Sequence, residues 1–519
     1  MLTIKESMEL AGRNLLAGLL PENDHLPLWN VVIEPDLTAT VHSFWFSHNI
    51  GRWWDAMLRL EAATGFPLPP EAEAAMQRHL RTCLDNPLSI CCYIGNDPER
   101  KAGTFDNHSQ RETLLALAEL IKYRNNDWAA EAGARMVRAL DRYVLPDGRW
   151  DPDAVGSKFE RGPGPGDPRA VWSHGRMLEG LLAFYQSAGD TAALALAGRL
   201  AEYHFTVTTR PDGACVERAY YSGLHTHSLF GTYRGLLQYG ILTRQAAFVD
   251  RVAKTYRITV RQQVKPSGFI SHDWGKDNMG ETTSPGDAAQ LALWLARQGH
   301  TEYLDDAERI VRARILPSQI TRPLGVRFAD GRAPTQENPE ALALGAFGGM
   351  HTHPHGGILP TTDITAADLH TLCDIYTHIV ETDEAGVRVN FHFACCGPSI
   401  EITCREEGTR RALDIRSESG RNLFVRIPRW VDRKTVALKV NGAFAPLQMH
   451  GDYACLPGRA GGVTHAVVAM DLPVEKIKEW TRDTVYEFTW VGDTVRGITP
   501  NAPFLPFYPT DEAASAANA

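Results

Sequence analysis

The stretch KPSGFISHDWGKDNMGETT, Lys265 to Thr283, holds Asp273 and Glu281 eight residues apart, with Asp277 between them. Two carboxyl groups suit hydrolysis of a glycosidic bond: one protonates the leaving oxygen, the other attacks or activates water. Asp273 is expected to be the general acid, and Glu281 the base, nucleophile or metal ligand. His272, beside the acid, is expected to contact substrate. Each carboxylate also has a plainer reading, Asp273 as a loop-turn residue and Glu281 as a helix N-terminal charge favoured by the dipole.

Histidines recur around this stretch. His48, His108, His174 and His227 stand at or near the start of successive helix-like runs, and Asp287 and Asp363 take similar places later. From His48 to Asp287 the separations are 60, 66, 53 and 60 residues. A neutral imidazole both donates and accepts hydrogen bonds, which suits sugar hydroxyls. These histidines are therefore expected to bind substrate. Arg176 would suit a carboxylate-bearing sugar, and Trp54 and Trp172 are candidates for stacking, or for core. In GGMHTHPHGG, His351, His353 and His355 alternate. On an extended segment they share one face and, with Glu281, could hold a divalent metal through nitrogen and oxygen. Another reading is a loop whose histidines bind substrate or face solvent. FHFACCGP, with Cys395 and Cys396 near His392, offers thiols as ligands, as a nucleophile or as small residues of a strand.

The elements that must position these groups show in the periodicity. Up to about residue 380, apolar residues recur at helical spacing in paired runs, such as GRMLEGLLAFYQSAGD followed by TAALALAGRLAEYHF. The pairs form a loose repeat. Closed into a ring they predict an (α/α)6 barrel over residues 1–383, with the inner helices starting at one mouth. From 384 to 505, short β-branched runs separated by turns such as Asn441-Gly442 predict an antiparallel β-sandwich. Residues 506–519 read as a disordered tail.

Composition narrows the partners. The net charge of −9 gives no electrostatic reason to expect nucleic acid or an anionic membrane. No apolar run is long enough to span a bilayer, and the N-terminus reads as an amphipathic helix rather than a leader. Nine cysteines without a scaffold spacing suggest reduced thiols and a cytoplasmic setting. No phosphate-loop motif is present, so no nucleotide or organic cofactor is expected. A homodimer is left open.

Several stretches, above all FVRIPRWVDRKTVALKVNG, resemble the glycoside hydrolase family typified by bacterial β-L-arabinofuranosidase, family 127, loosely from residue 45 to 445. The resemblance implies a hairpin barrel, a β-sandwich and a zinc centre. In that family a Glu-Thr-Cys triplet and a later Cys-Cys pair hold the metal, and one thiolate attacks the sugar. Here Glu281 and Thr282 match the triplet, but Thr283 replaces its cysteine. By order along the chain the pair falls at Thr361–Asp363, one strand before Cys395–Cys396. The reading is therefore a divergent glycosidase using carboxylates, acting on a short oligosaccharide or glycoside from the chain end. A lyase or sugar epimerase on the same barrel, or a non-catalytic sugar binder, are its rivals.

Overall fold

The computed structural model describes residues 2–42, 46–92, 109–149, 151, 169–214, 225–274, 279–329, 339–348, 353–458 and 462–510. Its first part is built of helices. α1 (Ile4–Ala17) starts with a reciprocal cap: Glu6 N donates to Thr3 Oγ1 at 3.2 Å, and Thr3 N to the Glu6 carboxylate at 2.7 Å. Then come α2 (Phe46–Thr64), α3 (Pro70–Leu84), α4 (Ser109–Arg124), α5 (Asp127–Asp141), α6 (Arg169–Ala188) and α7 (Thr191–Val207). α8 (Thr226–Thr243), α9 (Ala246–Thr255), α10 (Thr283–Arg297), α11 (Tyr303–Ile310) and α12 (Thr362–Thr377) follow.

Two kinds of helix alternate, and burial separates them. α4, α8, α10 and α12 are buried on every side through most of their length. Outer partners such as α3 and α5 bury only an apolar stripe. The inner helices pack in sequence, α2 on α4, α4 on α6, α6 on α8, α8 on α10, α10 on α12, and α12 returns to α2. Each inner helix takes the next helix as its outer cover, except α12, which takes α1 from the N-terminus.

Glycines let the inner helices approach closely. A Cβ on Gly51 would lie 2.6 Å from the Glu112 backbone, and one on Gly235 2.4 Å from Leu178 Cβ. Gly180 and Gly286 meet α4 and α12 in the same manner. Each of these four glycines, poor helix formers, thus stands at a seam between two inner helices.

The C-terminal part is a sheet region, largely antiparallel. One sheet runs in the order Ala443–Ala445, Ala437–Val440, Thr464–Asp471, Arg410–Ser417, Ile400–Glu407 and Cys395–Gly397. A second holds Met449–His450, Tyr453–Leu456, Leu423–Arg426, Val387–Val389 and Val380–Thr382, where Leu423–Arg426 and Val387–Val389 pair in parallel. Alternate residues of both sheets join the helices in one apolar core. A third sheet, Val474–Thr481, Thr484–Val491 and Thr494–Thr499, packs instead in a separate cluster with Val31, Ile33 and Ala39 of the N-terminal strands. Residues 506–510, grouped with the tail on composition, bury Phe507 and Tyr508 there, and Tyr508 donates to the Ala313 carbonyl at 2.6 Å.

FHFACCGP crosses the junction between helices and sheets. His392 Nε2 donates to the Arg426 carbonyl at 2.8 Å, and its backbone N donates to Glu308 at 3.1 Å. Arg426 itself pairs with Asp305 and Glu308 of α11. Cys395 and Cys396 follow in an edge strand, the first half-buried and the second exposed. Burial pushes the Cys395 thiol up to about 12, which favours the protonated thiol over the thiolate.

Burial also pushes the His392 imidazole down to about 3 from 6.5. The unfolded chain therefore takes up that proton first. Stability from this group is complete above about pH 6.5 and falls toward pH 3 by about 1.4 kcal/mol per unit. Thermal unfolding followed from pH 7 to 5 should show this decline, with a shallower slope in His392→Gln; equal slopes would contradict it.

Candidate active site

The space enclosed by the inner helices is lined by charge. Arg176, on α6, is 1 % exposed and donates to Glu112 Oε1 at 2.6 Å. Arg111 also donates to Glu112, at 2.8 Å, and to Glu179 at 2.7 Å. Arg234 bridges Glu179 and Asp287. Arg52 donates to Asp363 Oδ1 at 2.8 Å, and His48 Nε2 donates to the same oxygen at 2.7 Å. Four guanidinium groups thus meet four carboxylates, contributed by α2, α4, α6, α8, α10 and α12. The surrounding cations, Arg176 foremost, hold Glu112 well below the usual carboxylate range against its burial. Glu179 is held near 2 by Arg111 and Arg234.

His227 fixes the protonation pattern above this lattice. Arg52 Nη2 donates to its Nε2 at 2.7 Å and Arg176 Nη2 at 3.2 Å. A nitrogen that accepts carries no proton, so the proton is on Nδ1, which donates to Asp287 at 2.5 Å. Burial and the two guanidinium groups hold His227 neutral.

The mouth lies next to it. The loop before α10 is tied to the start of α8: Thr226 N donates to the His272 carbonyl at 2.9 Å, and His225 and Asp273 form a bridge. His272 N in turn donates to the Met279 carbonyl at 2.7 Å. These backbone bonds gather His225, His272, Asp273 and Glu281. His225 Nε2 donates to Glu281 Oε1 at 3.1 Å, and His272 Nδ1 to Asp273 Oδ1 at 2.9 Å. The two imidazole centroids are 4.6 Å apart. Asp273 and His272 are about one-fifth open to the exterior, whereas Glu281 is nearly closed. Against its burial, His225, which donates to it, and His272 beside it hold Glu281 far below the ordinary carboxylate range, so it is ionised.

Asp273, His272 and Glu281, expected from sequence, thus come together. His48, Arg176 and His227 lie one step deeper, in the lattice. Trp54 does not reach the mouth: it is 1 % exposed and packs edge-on against Trp53 in the core. His108 and His351 lie outside the described residues, as do the side chains of Trp172 and His174. His353 and His355 join no ligand cluster with Glu281 among the described residues. The segment turns there, with His355 N donating to His353 Nδ1 at 3.1 Å. His355 is buried among Phe269, Tyr486, Phe488 and Tyr508. Among the described residues, His353 and His355 therefore share no metal face with Glu281: the backbone turns at 354–355 and carries His355 into the aromatic cluster.

Sequence reasoning missed Arg52, Glu112, Glu179, Arg234 and His225 as site residues. His225 had a signal, its alternation with His227 in HTH. The others had only their polarity on helices buried all round.

No family model matches the chain, and no curated protein matches it in sequence. Solved structures do match. A β-L-arabinofuranosidase of glycoside hydrolase family 127 from Geobacillus stearothermophilus T6 superposes with a TM-score of 0.57, covering 87% of this chain and 77% of that one at 12% identity. The chain shares that fold. A second family 127 β-arabinofuranosidase gives 0.54 at 13% identity over 95% and 78%. A cellobiose 2-epimerase from Bacillus thermoamylovorans B4167 gives 0.50 at 11% identity over 70% and 95%.

The zinc–thiolate centre that the sequence resemblance implied does not fit these residues. Thr283 offers a buried hydroxyl with no partner among the described residues, Asp363 is committed to His48 and Arg52, and Cys395–Cys396 sit in the sheet region. The cluster of possible ligands at the mouth contains no sulfur.

Glu112→Gln should cost about 3–5 kcal/mol in denaturant unfolding, because it leaves buried guanidinium groups without counter-charge. A cost below about 1 kcal/mol would show that the lattice does not hold the helices together.

Proposed function

We propose that the chain is a glycoside hydrolase of a short oligosaccharide or glycoside, with an (α/α)6 barrel over residues 1–383 as catalytic unit and a β-sandwich over 384–505. The observation that carries the reading is the convergence of Asp273 and Glu281, through His272 and His225, at the mouth. Glu281 is the ionised partner, poised as nucleophile or base. Asp273 is the acid, held in place by His272, whose Nδ1 donates to its Oδ1. His225 and His272 present imidazoles to sugar hydroxyls. A mouth of this kind favours attack at a chain end.

A second reading is favoured by the closely spaced imidazoles of His225 and His272 and by the likeness to a cellobiose 2-epimerase. Two facing bases could move a proton from one side of a sugar carbon to the other. Product analysis separates the readings, since hydrolysis releases a shorter sugar and epimerisation changes none of the lengths.

On a panel of aryl glycosides and oligosaccharides, Asp273→Asn and Glu281→Gln should each lower kcat by about 10²–10⁴-fold. Near-normal turnover in both would overturn the assignment.

A further inference from the structure

We propose that His225, His272 and Glu281 form a nitrogen–oxygen site for one first-row divalent cation. The three donor atoms lie within 4.8 Å of one another. The His225 Nε2–Glu281 Oε1 edge is 3.1 Å. Metal–ligand bonds of about 2.0–2.2 Å give edges of about 2.8–3.1 Å at octahedral and about 3.3–3.6 Å at tetrahedral angles. The observed edge therefore admits an ion with little movement of these two groups.

The outer contacts support the same conclusion. A metal-binding histidine usually donates its other ring N–H to a carboxylate, carbonyl or water, which fixes the ring and its tautomer. His272 has that arrangement, with Nδ1–H on Asp273 at 2.9 Å and the Nε2 lone pair left for a ligand. His225 Nδ1 lies 3.0 Å from Ser228 Oγ. Now the Ser228 hydroxyl donates to Nδ1, because Nε2 carries the proton given to Glu281. On binding, the imidazole proton transfers to Nδ1, the hydroxyl becomes acceptor, and Nε2 turns to the ion. A hydroxyl serves both roles.

Two imidazoles and one carboxylate on one side of an ion suit a borderline metal and leave the opposite positions open. That opposite side faces the mouth, where His225 and His272 are partly exposed, so water or vicinal sugar hydroxyls could complete the shell. The site uses the glutamate of the family's triplet position but replaces sulfur with nitrogen from a different pair of segments. The inference shares side chains with the proposed hydrolase and does not depend on its reaction.

Full-length protein stripped with a chelator should be titrated with Zn²⁺ by calorimetry and with Co²⁺ by visible absorption. One ion per chain is expected, with nitrogen–oxygen Co²⁺ bands and no thiolate charge-transfer band. His225→Ala, His272→Ala and Glu281→Gln should each abolish it, and Asp273→Asn should weaken it about 10–100-fold. His465→Ala, a change at an exposed histidine of the sheet region, should leave it unchanged. Thermal unfolding confirms that each variant is folded. No binding, or binding unaltered in all three ligand variants, would overturn the site. If the stripped wild type keeps full turnover while Asp273→Asn loses it, the hydrolase reading stands whatever the titration shows.

Discussion

The ion pair between Arg176 and Glu112, with the guanidinium and carboxylate groups that continue it, is the constraint on which this structure turns. Charges this deep are costly to desolvate, and only near-complete pairing offsets the cost. The pairing partners come from every inner helix, so each helix is held at the angular position that satisfies the lattice. Apolar packing on the outer side of the same helices supplies the bulk driving force, since that contact is non-directional. The lattice supplies register.

Close approach makes the lattice possible. Gly51 and Gly235 bring neighbouring inner helices within reach of short polar contacts. With alanine there, the neighbouring inner helices would be pushed apart and the guanidinium groups would lose these short contacts. The mouth inherits the result. His227 is clamped by Arg52 and Arg176 and held by Asp287, and the ring of His225, which caps the start of the same helix, is centred 5.6 Å from it. A rigid floor under a partly open set of carboxylate and imidazole groups is an arrangement that positioned catalysis would need. The likeness to glycosidases and an epimerase says only that this fold is compatible with sugar chemistry; the chemistry itself rests on the side chains.

Much of the helical part could be read from sequence, because 3.6-residue periodicity and the spacing of His48, His227, Asp287 and Asp363 are local signals. The displacement of the thiol pair was also readable, since order along the chain placed Cys395 and Cys396 after a strand. The lattice was not. Glu112 and Arg176 are 64 residues apart and Arg52 and Asp363 are 311 apart, and nothing local says which polar residue faces which. The alternation of His353 and His355 misled for a physical reason: period two implies one face only if the backbone is extended, and at 354–355 it turns. Trp54 misled because an aromatic near a mouth in sequence can still point outward from the axis into the packing between helices.

The central claim is that the lattice sets the protonation of the mouth, with His227 neutral and its proton on Nδ1. Long-range ¹H–¹⁵N correlation of the histidine side chains tests this directly, with His227→Gln used to assign the signal. A protonated Nδ1 and an unprotonated Nε2 that persist from pH 8 to pH 5 are predicted. An imidazolium at pH 7, or a proton on Nε2, would contradict the account.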